Sequence, residues 1–198
     1  MKKGKPKRSK VGFWIYLFVC LFLANGAYHL WKNPIHVLSF FSSPFRKTPQ
    51  QTWESYGRIF EDQANEKVSG PLLAAIAQAE SGGNPLAAPG WSFEPSTDVV
   101  ELFAPASTAF GLMQITKGTF DLMLRSCDGD CPQRELASRV RPTDSVRLTS
   151  SFLRKTIATM VNETEWQRLT SEKATRLAAV IHLCGKKKKK RLIRERFR

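Results

Sequence analysis

Two short stretches hold the residues best suited to chemistry. The first is Ala79-Glu80-Ser81-Gly82-Gly83-Asn84-Pro85, where one carboxylate stands at the end of a very apolar run, just before a Gly-Gly-Asn-Pro stop. A carboxyl placed there is only partly solvated, which disfavours its charged form, so Glu80 is expected to hold a proton near neutral pH. An acid at a helix C-terminus also opposes the macrodipole, so its presence asks for a reason other than stability. The second stretch is Ala109-Phe110-Gly111-Leu112-Met113-Gln114-Ile115, an uncharged turn. Its Gly111 lets a backbone come close, and its Gln114 offers both donors and acceptors. A proton donor beside a polar, uncharged cleft wall suits the splitting of a sugar–sugar bond.

Read together and in this order, the two stretches resemble the lytic transglycosylase family, the SLT-type branch of the lysozyme-like superfamily. The family pattern runs Glu-Ser, a few residues, Asn-Pro, a spacer, and then Gly-Leu-Met-Gln. The resemblance implies a mainly α fold, α+β in the lysozyme-like manner, acting on peptidoglycan between N-acetylmuramic acid and N-acetylglucosamine. It implies Glu80 as the catalytic acid and base, closing a 1,6-anhydro ring on the muramyl sugar. Ser81 would steady Glu80 or the sugar, and Gly111, Leu112, Met113 and Gln114 would line the subsites, the first three through their backbone. No metal and no organic cofactor is implied. The spacer, residues 86–108, is longer than the family's, and the usual Ala-Tyr-Asn-Ala-Gly is replaced by Ala179-Val180-Ile181-His182-Leu183-Cys184-Gly185. His182 is the candidate to take over the missing tyrosine's hydrogen bond. A histidine with a structural or solvated role is the competing reading.

Helices must carry these residues. Thr52 is a candidate N-cap for a helix with Trp53, Tyr56, Ile59, Phe60 and Ala64 at helical spacing, a stripe that reads as core. Ser69-Gly70-Pro71 opens the next helix, with proline in the first turn, where its missing N–H does no harm. Leu72 to Ala77 are apolar nearly all round, which marks a buried helix ending at Glu80. The spacer contains the strand-like Val99-Val100-Glu101-Leu102-Phe103, expected as a hairpin arm over the cleft. Trp91 and Phe93 are possible sugar-stacking residues, with packing of the insertion onto the domain as the alternative. Thr116 should cap a helix through Leu124, Pro142 should begin another, and Thr170-Ser171-Glu172 should begin the last.

Composition places this domain. The net charge of +14 is carried entirely by the two tails, residues 1–10 and 186–198, and the stretch between them is formally neutral. A nucleic-acid domain shows its basic stripe within the folded part, so nucleic acid is excluded as a partner. After the basic head 1–10, residues 11–31 contain no Lys, Arg, Asp or Glu, which is the length needed to cross a membrane. A transmembrane anchor is the expectation, with a cleaved signal peptide, Ala24 and Gly26 standing at its −3 and −1 positions, as the alternative. Either way the basic flank stays inside, and the remainder is exported to the periplasmic face of an inner membrane. Residues 32–51 are broken by prolines and read as a linker, 52–185 as the catalytic domain, and 186–198 as a basic tail. The five-lysine run that opens the tail also permits a frameshifted end.

In an oxidising compartment, Cys127 and Cys131, four apart around a glycine turn, read as a local disulfide. Cys184 is a further possible partner, and a metal site is the weaker alternative. Two rival functions remain open. One is a goose-type hydrolytic lysozyme in which Glu94, Asp98 or Glu101 activates water. The other is a non-catalytic peptidoglycan-binding scaffold of an envelope-spanning secretion or conjugation machine.

Overall fold

A computed structural model of the chain describes residues 10–32, 45–93, 98, 103–127, 131–132 and 134–182. The first element is α1, Lys10–Lys32. Its segment Val11–Lys32 has a mean hydropathy of 1.7, long and apolar enough to cross a membrane, a property that signal sequences share. Phe13, Trp14, Ile15, Tyr16 and Phe18 are exposed along it.

The folded domain begins earlier than Thr52. Thr48 caps α2, Pro49–Asp62, through a capping box: its hydroxyl accepts the Gln51 N–H, the Gln51 side chain accepts the Thr48 N–H, and Pro49 fills the first turn. Thr52 lies one turn inside the helix, buried, and donates its hydroxyl to Gln78 Oε1 at 2.7 Å. Residues 45–51, expected as linker, thus belong to the fold. Their prolines mask a Thr-Pro-Gln-Gln helix start.

The second helix of the domain, α3, spans Gly70–Ser81, with Ser69 as N-cap accepting from the Leu72 N–H. It packs closely on α2 and buries Leu72, Leu73, Ile76 and Ala77. A left-handed Gly82 (φ 60°) ends it. Next comes a two-stranded antiparallel sheet, β1 (Trp91–Phe93) and β2 (Phe103–Pro105), with Trp91 opposite Pro105 and Phe93 opposite Phe103. A hairpin is present, and Phe103, the last residue of the expected strand, opens β2. Of Val99–Phe103 only Phe103 falls in β2, and residues 99–102 lie outside the described residues. It rests on α1: Phe103 packs against Phe22 at 4.8 Å, and Trp91 stacks on Phe103 at 5.0 Å and meets His29 edge-on at 5.8 Å.

The remaining helices are α4 (Lys117–Leu124), α5 (Glu135–Val140), α6 (Pro142–Ala158), α7 (Glu163–Arg168) and a last helix, α8, over residues 171–182. Thr116 caps α4 by accepting the Thr119 N–H. Cys127 and Cys131 are joined by a disulfide just after α4, and Cys184 lies outside the described residues. The core gathers side chains from several helices: Phe60 of α2, Leu73 of α3, Leu148 and Ile157 of α6, and Leu177 and Ile181 of α8 are all fully buried. Polar groups inside it are paired. Ser150 of α6 donates to the Gln63 carbonyl at 2.6 Å and accepts from Asn65 at 2.9 Å, which locks the α2–α3 connection to α6. The result is a mostly helical domain with one small sheet.

Candidate active site

Glu80 is the penultimate residue of α3, and the course of the chain beyond it is set by backbone geometry. Gly82 and Gly83 both have positive φ (60° and 69°), where a side chain is strained. Gly83 must also be bare because α2 crosses close behind it: a Cβ there would collide with the Thr52 hydroxyl oxygen. Asn84 is buried, and its side-chain oxygen accepts the Leu86 N–H at 2.9 Å, which turns the chain toward Ala87.

Ala87 is where the two motifs meet. Its carbonyl accepts the Gly111 N–H at 2.8 Å and the Gln114 side-chain amide, also at 2.8 Å. The amide donates as well to the Gly111 carbonyl at 2.9 Å. The turn itself is closed by a pair of hydrogen bonds between Phe110 and Ile115, with Gly111 at φ 84° and Gln114 at φ 46°. Gln114 is a non-glycine residue in the left-handed region, a conformation that persists only where surrounding bonds enforce it. Leu112 and Met113 are buried, so their side chains anchor the turn in the core and leave only their backbone for a ligand.

His182, the last described residue of α8, places Nε2 at 2.9 Å from Glu80 Oε1, across 102 positions of sequence. The two side chains are 21% and 32% exposed respectively, so the pair is partly open to solvent rather than sealed in the core. Ser81 is turned the other way. It is buried and donates its hydroxyl to the Ala77 carbonyl at 2.8 Å. The hydroxyl expected to steady Glu80 or the sugar thus bonds the helix end in this structure.

The hairpin aromatics stand apart. The ring contacts of Trp91 among the described residues are with Phe103 and His29, while Phe93 is exposed. Of the acids considered for a second carboxylate, Glu94 and Glu101 lie outside the described residues. Among the described residues, no cluster of three His, Cys, Asp or Glu side chains could hold a metal ion.

One functional neighbour is not evident from the sequence. Arg139 of α5 is buried and holds the turn from behind. Its Nε donates to the Ile115 carbonyl at 2.9 Å, its Nη2 to the Thr108 carbonyl, and its Nη1 to Glu135 at 3.0 Å. Burial pulls its pKa below the ordinary value, and Glu135 pulls it back up. Its own carbonyl lies where a Cβ on Gly111 would fall, so the glycine is required by contact as well as by φ. The available sequence signal is the Glu135–Arg139 spacing of four on a helix.

Residues 58–194 match the family model described as "Transglycosylase SLT domain", a span that includes Glu80, the Gly111–Gln114 turn and His182. No curated protein and no solved structure gives a significant match.

Proposed function

Because the chain belongs to the transglycosylase SLT family, we propose that it is a peptidoglycan lytic transglycosylase that works with Glu80 as its one acid–base residue. The observation that carries this reading is the Glu80–His182 contact at the open end of α3, beside a turn tied to the same chain segment through Ala87.

In this mechanism His182 donates its Nε2–H to Glu80 Oε1, which leaves the second carboxyl oxygen to carry the proton toward the substrate. That proton passes to the glycosidic oxygen as the bond from C1 of N-acetylmuramic acid to O4 of N-acetylglucosamine breaks. The carboxylate so formed, still held by His182, removes the proton from the muramyl C6 hydroxyl. The C6 oxygen then bonds to C1, and Glu80 regains its proton. The nucleophile belongs to the substrate, so a single carboxyl serves both halves, whereas ordinary glycosidases need two. The backbone of Gly111–Met113 and the side chain of Gln114 form the opposing wall. We place α1 in the inner membrane with the catalytic domain in the periplasm, a reading supported by the apolar span and by a disulfide suited to an oxidising compartment.

The test is digestion of purified sacculi by the full chain in detergent, with mass spectrometry of the products. Wild type is expected to release 1,6-anhydro-muropeptides. Glu80→Gln, which keeps the shape and removes the proton, should lower the rate by about 10²–10⁴. Reducing-end products without the anhydro ring would replace this reading with a hydrolase. Equal and negligible release by both proteins, with binding retained, would replace it with a scaffold.

A further inference from the structure

Glu80 stands in the last turn of α3, and the end of a helix is where backbone carbonyls run out of intrahelical partners. This turn is tied from outside on both sides of the carboxyl. Two residues before Glu80, the Gln78 side chain is held at both ends: its Nε2 donates to the Lys47 carbonyl at 3.1 Å, and its Oε1 accepts the Thr52 hydroxyl at 2.7 Å. Two residues after Glu80, the Gly82 carbonyl accepts the Lys47 N–H at 2.8 Å. Lys47 and Thr52 flank the capped start of α2, so one short stretch, residues 47–52, grips the turn on either side of Glu80.

The grip is rigid at its source. The Thr48 capping box and Pro49 fix where α2 begins, and with it the course of the Lys47 main chain. Thr52 is 1% exposed, and its hydroxyl oxygen fills the space that a Cβ on Gly83 would need, so it packs against the exit from α3 while it bonds Gln78. The Glu80 side chain has His182 as its one hydrogen-bond partner among the described residues. A carboxyl with a single tie takes its place from the backbone that carries it, and an error of about 1 Å at a reacting group can cost about 10²-fold in rate. Residues 47–52 precede residue 58, where the match to the family model begins, so these ties come from outside the matched span.

We propose that Thr52 is a positioning residue for Glu80, acting through Gln78, and that the start of α2 sets the last turn of α3 in its working place. The proposal rests on the transglycosylase reading and adds to it the part of the chain that holds the acid–base carboxyl in register.

The test measures cleavage of sacculi-derived glycan and urea unfolding on the full chain in detergent. Thr52→Val keeps the shape and removes the hydroxyl, and it should lower kcat about tenfold with KM within about twofold, the pattern of a lost transition-state placement. Thr52→Ser, which restores the donor, should return kcat to near the wild-type value. Gln78→Met, at a half-buried position, removes both side-chain ties and should act as Thr52→Val does, which keeps the test open if that variant does not fold. Ser150→Ala is the comparison, since it deletes an equally buried hydroxyl that donates to the Gln63 carbonyl and accepts from Asn65. It should lower the urea midpoint and leave kcat unchanged. Unchanged kcat in Thr52→Val and Gln78→Met, no recovery in Thr52→Ser, or an equal kcat loss in Ser150→Ala would each overturn the positioning role while wild type still cuts. Absence of cutting by wild type, or equal cutting by Glu80→Gln, would instead remove the function on which the proposal rests.

Discussion

The Gly111–Gln114 turn and the Glu80 corner reach toward one segment, residues 84–87, but they are secured in different ways. The turn is fastened from both sides. Ala87 accepts two hydrogen bonds from it, a buried arginine donates to carbonyls on both of its flanks, and Leu112 and Met113 root it in the core. The Glu80 side chain stands at a helix end that is well closed in its backbone, yet its one hydrogen bond among the described side chains is to His182, and that pair is open to solvent. A wall that shapes a ligand gains from rigidity. In the proposed mechanism, a carboxyl that gives up and regains a proton would gain from reach to the ligand and from a single orienting bond.

Three substitutions put this contrast at risk. Arg139→Met has the largest expected effect. It leaves the Ile115 and Thr108 carbonyls without their donor in a buried place, at about 1–3 kcal/mol each, so a stability loss on the order of 3 kcal/mol is expected in urea unfolding. Arg139→Lys should recover only part of it, because an ammonium cannot reproduce the three-way fork. A loss within experimental error for Arg139→Met would mean that the turn is not held from behind, and the contrast would disappear.

His182→Phe comes next and should separate function from stability. The ring volume stays similar while the donor to Glu80 is lost. The expected result is a fall in kcat of about tenfold, or about 1.4 kcal/mol. Little change in urea midpoint should accompany it, as suits a partly exposed residue. His182→Tyr restores a donor of the type usual in the family and should regain part of the rate. A large loss of stability with proportionate loss of rate would make His182 a packing residue only.

The two regions also differ in how far they can be read from sequence. Local signals carry far. Ser69 and Thr116 cap helices as their side chains suggest, Gly82 ends α3, and the Cys127–Cys131 spacing closes its own small loop. Thr48 is easily missed because the prolines around it read as linker, although a proline at the first helical position favours a start. Contacts between distant segments are less legible. His182 stands out where a tyrosine is expected, but its 2.9 Å approach to Glu80 depends on how α8 packs on α3. The role of Arg139 depends on α5 lying behind the turn, which no periodicity encodes. Of the strand-like run in the spacer, Phe103 stands in the hairpin. The hairpin's aromatic residues meet α1, an apolar helix whose composition fits a membrane span or a signal sequence and does not announce this contact.

The smallest effect belongs to Ser81, and it bears on what the family's Glu-Ser pair does in this chain. A hydroxyl aimed at a sugar would matter to KM or kcat. A hydroxyl donated to the Ala77 carbonyl at 2.8 Å, on a residue 5% exposed, should matter only to the last turn of α3. Ser81→Ala removes donor and acceptor together while the carbonyl keeps its helical partner, so the cost should stay under about 1 kcal/mol in unfolding. Cleavage kinetics on glycan should be unchanged. A kcat loss comparable to that of His182→Phe would show that the serine rotates out to the reacting centre when substrate is bound. The Glu80 corner would then have two polar supports in the working enzyme, and the contrast with the turn would be one of the resting state alone.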